Sequence, residues 1–96
     1  MLAGYEGFEW DKGNQDKNFL KHGVTNRECE EAFLDPGKRI FRDKLHLSGE
    51  RRFVLLAKTF NGRLLFAIFI LRRSKVRVIS SRDINKKEKH LYEKAS

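Results

Sequence analysis

Phe53-Val54-Leu55-Leu56-Ala57-Lys58-Thr59-Phe60, then Asn61-Gly62-Arg63, then Leu64-Leu65-Phe66-Ala67-Ile68-Phe69-Ile70-Leu71: two apolar runs joined through an Asn-Gly pair. That pair is the sequence preferred by a two-residue hairpin turn, because both central residues of the turn take positive φ. The stretch predicts strand 53–60 folded back on strand 64–71. The second run has no polar position, which predicts burial on both faces, a central place in the sheet and helices on at least one side.

Working toward the C-terminus, Arg72-Arg73-Ser74 reads as the next turn and Lys75 to Ser81 as another strand. Alternation would put Val76, Val78 and Ser80 on a core face and Lys75, Arg77, Ile79 and Ser81 on a basic one. Asn85-x-x-Glu88 has capping-box spacing and opens a terminal helix with Lys86, Lys87, Lys89 and His90, held by Leu91 and Ile84. Working toward the N-terminus, Ile40 and Phe41 suggest a short strand, followed by a polar loop from Asp43 to Gly49. Thr25-x-x-Glu28 is a second capping box. It starts a helix whose stripe of Cys29, Ala32 and Phe33 faces the core and which Asp35-Pro36-Gly37 ends. Before it, Asp11 caps a mostly polar helix from Lys12 to His22, and Gly23 closes it with Lys21 and His22 in the last turn, where positive side chains answer the helix dipole. Gly7 to Trp10 reads as a short first strand. Phe8, Trp10, Phe53, Phe60 and Phe69 are the expected aromatic core, with Trp10 also placed to stack on a base if exposed.

The pattern is α+β: two N-terminal helices and a C-terminal helix packed on an antiparallel sheet. With 96 residues and no repeat, low-complexity segment or linker, residues 1–96 are expected to form one domain. The one cysteine, Cys29, has no disulfide partner within the chain, and His22, His46 and His90 are scattered without metal-ligand spacing, so no metal or other cofactor is expected. Cys29 itself reads as a core residue rather than a nucleophile. The longest apolar run, 64–71, is far shorter than the roughly 20 residues of a membrane span, and no signal-peptide pattern opens the chain. A soluble, cytoplasmic protein without membrane association is expected.

The net charge is +8, but residues 1–37 carry four Lys/Arg against eight Asp/Glu, whereas residues 38–96 carry 17 against five. The C-terminal part is therefore a +12 segment, which attracts polyanions, nucleic acid first among them. RNA cleavage without a metal needs a base for the ribose 2′-hydroxyl, cations for the phosphoryl oxygens and an acid for the departing 5′ oxygen. Lys21, His22, Arg63, Arg77 and Arg82 are the candidates for that chemistry, and Lys75, Lys86 and Lys87 for gripping phosphates. Each has a plainer reading as well: His22 as a helix cap, Arg63 as a soluble hairpin residue, Arg77 as an exposed strand position. His46, after Asp43, is a further histidine that a carboxylate could orient, or a surface residue with no task.

Six blocks in order carry a resemblance: Phe8-Glu9-Trp10-Asp11, Lys21-His22-Gly23-Val24, Glu31-Ala32-Phe33-x-Asp35-Pro36, Asp43-x-x-His46, Glu50-Arg51-Arg52-Phe53, and Val76-Arg77-Val78-Ile79-Ser80-Ser81-Arg82. Together they resemble the BrnT toxins. The resemblance implies a small RelE-like ribonuclease fold and the toxin half of a type II toxin–antitoxin pair. It also implies an endoribonuclease that stalls translation and growth, a cognate BrnA-like antitoxin, and operator DNA reached only through the toxin–antitoxin complex. An antitoxin of this kind would lay an acidic segment across the basic face. Asn26 and Arg27 stand where many relatives have an aromatic residue, and Ser81 takes the position of a usual small residue. Two other readings remain open on the residues alone: a non-catalytic RNA-binding or regulatory module, and a domain whose basic face binds an acidic protein.

Overall fold

The predicted hairpin forms the middle of the sheet. In a computed structural model that describes residues 6–43 and 51–94, β2 (Arg52–Lys58) pairs antiparallel with β3 (Leu64–Arg72), from Arg52 opposite Ile70 to Lys58 opposite Leu64. β1 (Arg39–Arg42) and β4 (Lys75–Asp83) flank them in the order β1-β2-β3-β4. Three helices complete the α+β architecture: α1 (Lys17–His22), α2 (Asn26–Ala32) and α3 (Lys86–Glu93).

The Asn61-Gly62 turn differs from the sequence expectation, whereas the turn expected at Arg72–Ser74 is present. Thr59 N–H donates to the Arg63 carbonyl (2.8 Å) and Gly62 N–H to the Thr59 carbonyl (3.0 Å), so residues 60–62 form a three-residue loop in which only Gly62 has positive φ (86°). This is a type of loop in which glycine occupies the left-handed position. The Thr59 hydroxyl accepts the Arg63 N–H (3.1 Å) and fixes that closing pair. Phe60 consequently sits in the loop and is 68% exposed instead of joining the core. The two-residue turn with both central φ positive occurs at Arg73 (53°) and Ser74 (66°), between the paired Arg72 and Lys75.

Core residues alternate along the strands as period two requires. Phe53, Leu55 and Ala57 of β2, Leu65, Ala67 and Phe69 of β3, and Val76 and Val78 of β4 pack with Val24, Cys29, Ala32 and Phe33. Phe33 meets Phe69 edge-on at 4.9 Å between ring centres, and Phe69 stacks on Phe53 at 5.3 Å. Both capping boxes form as the sequence indicated, Thr25 with Glu28 and Asn85 with Glu88.

A register irregularity in β4 changes which residues share a face. Ile68 pairs with Ser80 but Phe69 pairs with Val78, so Ile79 is an extra residue in the strand. Beyond it the alternation inverts. Ser81, expected beside Arg77 on the basic face, is instead fully buried opposite Ala67, and Arg82 moves onto the face that Arg77 already occupies. This second face also carries Leu56, Phe66 and Ile70.

The outer edge of β4 is covered by residues 6–18. Glu6 N–H donates to Ser74 O (2.6 Å), Val76 N–H to Gly7 O (2.8 Å) and Glu9 N–H to Val76 O (2.8 Å). The expected strand at Gly7–Trp10 thus contributes a parallel bridge between Phe8 and Val76, and no longer ladder. Two buried asparagines continue the cover. Asn14 Nδ2 donates to Val78 O (3.2 Å) and to Glu9 O (3.0 Å), and Asn18 Oδ1 accepts the Ser81 N–H (2.9 Å). This shortens the predicted helix: residues 12–16 wind around Asn14 as turns, Asn14 Oδ1 accepting the Asp11 N–H at 2.9 Å, and Asp16 takes a left-handed φ of 57°. Helix begins only at Lys17. It ends as expected at Gly23 (φ 68°), with Lys21 and His22 in its last turn.

Candidate functional site

His22 and Lys21 owe their position to an arginine about 40 residues further along the chain. Arg63 Nη1 donates to the Gly23 carbonyl (2.9 Å) and Nη2 to the His22 carbonyl (3.4 Å), so a guanidinium satisfies acceptors that the end of α1 leaves open. The same side chain donates through Nε to Asp83 Oδ1 (2.7 Å) and through Nη1 to both Glu28 oxygens (3.2 Å each). Arg63 therefore joins the end of α1, the capping box of α2 and the last residue of β4. The hydrogen bond to Asp83 is the main reason its pKa is raised, and the reciprocal bond is the main reason the Asp83 carboxyl is held low. The His22 charge contributes to lowering Asp83, which puts the imidazole in electrostatic reach of that carboxylate. His22 is half-buried and Lys21 exposed.

Arg82 reaches the same end of the sheet on the second face. Its guanidinium lies 4.1 Å from the centre of the Phe66 ring, a stacking that suits a planar cation. Its two terminal nitrogens fork onto Glu88 at 2.9 and 2.8 Å, and Nη1 also donates to the Asp83 carbonyl (3.1 Å). The bond to Arg82 holds the Glu88 carboxyl below its ordinary range. Glu88 is also the capping residue of α3, so the first turn of that helix, with exposed Lys86 and Lys87, is drawn toward Arg82. At its other end α3 is held by the Tyr92 hydroxyl donating to Asp35 Oδ2 (2.7 Å), and none of its residues is buried.

Arg77 and Lys75 stand at the opposite end of β4. Arg77 pairs in register with Ile70 and Arg82 with Phe66, four residues along β3, or about 13 Å. Arg77 forks onto Asp11 (2.7 and 3.0 Å) and adds Glu9 (3.1 Å). It packs so closely on the turn that a Cβ at Gly13 would lie 2.9 Å from its Nη2. Its side chain is 13% exposed, against 35% for Arg82. The structure thus brings Lys21, His22, Arg63, Arg82, Lys86 and Lys87 to one end and leaves Arg77 and Lys75 at the other. Every arginine among the five catalytic candidates is paired with carboxylates of its own chain.

Sequence reading missed Asp83, Phe66 and the second role of Glu88. The Glu88 signal was present, since a capping glutamate six residues after an arginine is within reach when a short loop turns the chain, but capping alone accounted for it. His46 lies outside the described residues. Cys29 is buried, and burial pushes its thiol up to about 11, consistent with a core residue rather than a nucleophile. Trp10 is half-buried, its Nε1 donating to Glu30 Oε2 (2.7 Å) and its ring stacked on Phe8. Among the described residues, no three His, Cys, Asp or Glu side chains are grouped to hold a metal ion, and no helix is long and apolar enough to cross a membrane.

Fold and site define a small α+β protein in which an arginine stacked on the second face of the sheet shares one end of the molecule with a helix-terminal histidine. That class is made specific by comparison with known families. Residues 10–88 match the family described as the ribonuclease toxin, BrnT, of type II toxin–antitoxin systems, and the chain belongs to this family. The matched span contains all eight candidate residues. Membership gives the chain RNA as its substrate and a cognate antitoxin as its protein partner. No curated protein matches the chain.

Proposed function

We propose that the chain is a metal-independent endoribonuclease whose active site is the end of the sheet formed by His22, Lys21 and Arg82, and that its cleavage of RNA in the cytoplasm inhibits translation and growth. The observation that carries this reading is the Arg82 guanidinium, stacked on Phe66 and forked onto a single carboxylate at the end where α1 presents His22. A two-oxygen fork is also how arginine binds phosphate, so a phosphodiester replaces Glu88 without changing the geometry of the donors.

With RNA in place, the ribose 2′-hydroxyl attacks the adjacent phosphorus and the 5′ oxygen departs. One of His22 and Lys21 takes the 2′-hydroxyl proton and the other gives a proton to the departing 5′ oxygen. Arg82 and Lys21 stabilise the charge that accumulates on the phosphoryl oxygens. Arg63 is a positioning residue: its bonds to the His22 and Gly23 carbonyls fix the helix end. Lys86 and Lys87 hold flanking phosphates. Arg77 acts through the fold, by tying residues 9–11 to β4. The complex with antitoxin, not the toxin alone, engages operator DNA.

Purified protein incubated with RNA in EDTA is expected to give fragments ending in 2′,3′-cyclic phosphate and 5′-hydroxyl. RNA that stays intact in EDTA and is cut once magnesium is restored would contradict metal independence. RNA bound but uncut under both conditions would replace the enzyme with an RNA-binding module.

A further inference from the structure

The two edges of the sheet are treated in opposite ways. Residues 6–18 cover β4, whereas β1 has no strand beyond it among the described residues. Asp43 N–H donates inward to Arg52 O (2.8 Å), and in an antiparallel ladder the inward-bonding residues alternate, so Phe41 and Arg39 also bond to β2. The N–H and carbonyl groups of Ile40 and Arg42 therefore point outward, two donors and two acceptors about 7 Å apart. An open edge of this kind is a template for strand addition.

Charge selects what adds to it. Lys38, Arg39 and Arg42 make no ion pair with a carboxylate among the described residues, in contrast to Arg63, Arg77 and Arg82. Phe41, partly exposed, lies beneath Arg39, whose Cζ is 5.7 Å from the ring centre. A second copy of the chain would set these cations against their own counterparts. RNA supplies phosphate acceptors for the two N–H groups but does not match the alternating carbonyls. An extended peptide with acidic side chains satisfies both the ladder and the charge.

We propose that the outer edge of β1, residues 39–42, receives an extended acidic segment of the cognate antitoxin, which joins the sheet as an added strand. The partner follows from family membership, and the inference is independent of which residues cut RNA. It places the antitoxin's acidic segment on an edge, where the charge pattern alone suggested the basic face.

The test is amide hydrogen exchange on the free chain and on the chain purified with its antitoxin. The Ile40 and Arg42 amides are expected to exchange at least about 100-fold more slowly in the complex, while Phe41, already bonded to β2, changes little. Arg42→Pro removes only an outward N–H and is expected to weaken antitoxin binding at least about tenfold while leaving RNA cleavage by the free chain unchanged. Should that variant fold poorly, R39E/R42E keeps the backbone and is expected to weaken binding by a similar factor. Unchanged exchange at Ile40 and Arg42 in a stable complex would overturn the proposal. So would antitoxin binding at full strength by R39E/R42E, or protection of these amides by RNA or by self-association in place of the antitoxin. Loss of RNA cleavage in the unmodified chain would strike the catalytic reading and leave this one standing.

Discussion

Arg82 and Arg77 lie on the same strand and the same face, and both fork onto carboxylates, yet the elements that carry those carboxylates differ. At the Arg77 end the acids belong to the segment that covers the β4 edge, so the pair fastens the N-terminal chain to the sheet. At the Arg82 end the acid stands on a helix with no buried residue, and the guanidinium keeps an aromatic ring beneath it when that acid leaves. An arginine is available to a ligand when its internal partner can be released without taking part of the core with it. The +12 segment does not by itself distinguish these two cases.

The sharpest way to break the contrast is at His22, a proposed proton-transfer group. His22→Ala is expected to reduce RNA cleavage by about 10²–10⁴-fold, the usual range for losing a general acid or base, with little change in thermal stability. Cleavage within a few-fold of the parent would remove His22 from the site and leave Arg82 without the chemistry assigned beside it.

Acid attacks both ends together. Asp11, Glu28, Asp35, Asp83 and Glu88 all have carboxyl groups held below their ordinary values of 3.8 and 4.5. For Asp11, Asp83 and Glu88 the leading cause is an arginine hydrogen bond; for Glu28 and Asp35, hydrogen bonds outweigh the opposing effect of burial. The unfolded chain takes up these protons first. Their stabilisation is therefore complete above the ordinary values and is lost as pH falls through and below them. Tyr92 has the opposite sign: burial, reinforced by the bond to Asp35, raises its hydroxyl from 10.0 to about 12, so its contribution is lost as pH rises between those values. Denaturant melts across pH are expected to show a plateau from about pH 5 to 9 with both flanks falling. A flat profile below pH 4 would mean the carboxylate pairs contribute nothing to folding.

A smaller effect isolates the latch on Arg82. Glu88→Gln keeps the capping box, since glutamine serves at that position, but removes the charge that competes with phosphate. Its kcat/KM on RNA is expected to rise about threefold to tenfold, the scale of one weakened charged hydrogen bond. A fall would show that Glu88 positions Arg82 for catalysis instead of restraining it. Smallest of all is Ser81→Ala. Among the described residues the buried Ser81 hydroxyl has only the weakly bonding Cys29 thiol beside it, so its removal is expected to stabilise the chain by up to about 1 kcal/mol in urea unfolding. Destabilisation would show that the contact with Cys29 satisfies that oxygen.

The parts of the fold that were legible in the sequence are those fixed by neighbours along the chain. The apolar runs of β2 and β3, the Thr25 and Asn85 capping boxes, the Cys29 stripe and the Gly23 stop each depend on residues a few positions apart. What could not be read depends on pairing. The extra residue at Ile79 shows only against the β3 register, yet it decides that Arg82 joins Arg77's face and that Ser81 is buried. Asn14 and Asn18 look like solvent-facing helix residues until the open edge of β4 is there to be capped. The same holds at the candidate site. Lys21, His22 and Arg82 are candidates by their chemistry, but that Arg63 binds the end of α1 while Arg77 binds Asp11 follows from tertiary contacts across 40 and 66 residues.

The central claim, that RNA is cut at the Arg82 end and not at the Arg77 end, is tested most directly by comparing Arg82→Ala with Arg77→Ala in one RNA cleavage assay in EDTA, at a temperature where both variants are folded. Arg82→Ala is expected to lose about 10²-fold or more in kcat/KM, with a smaller fall in melting point than Arg77→Ala. Arg77→Ala is expected to melt several degrees lower and to keep cleavage within a few-fold of the parent. Full activity in Arg82→Ala, or an equal loss in a folded Arg77→Ala, would contradict the account.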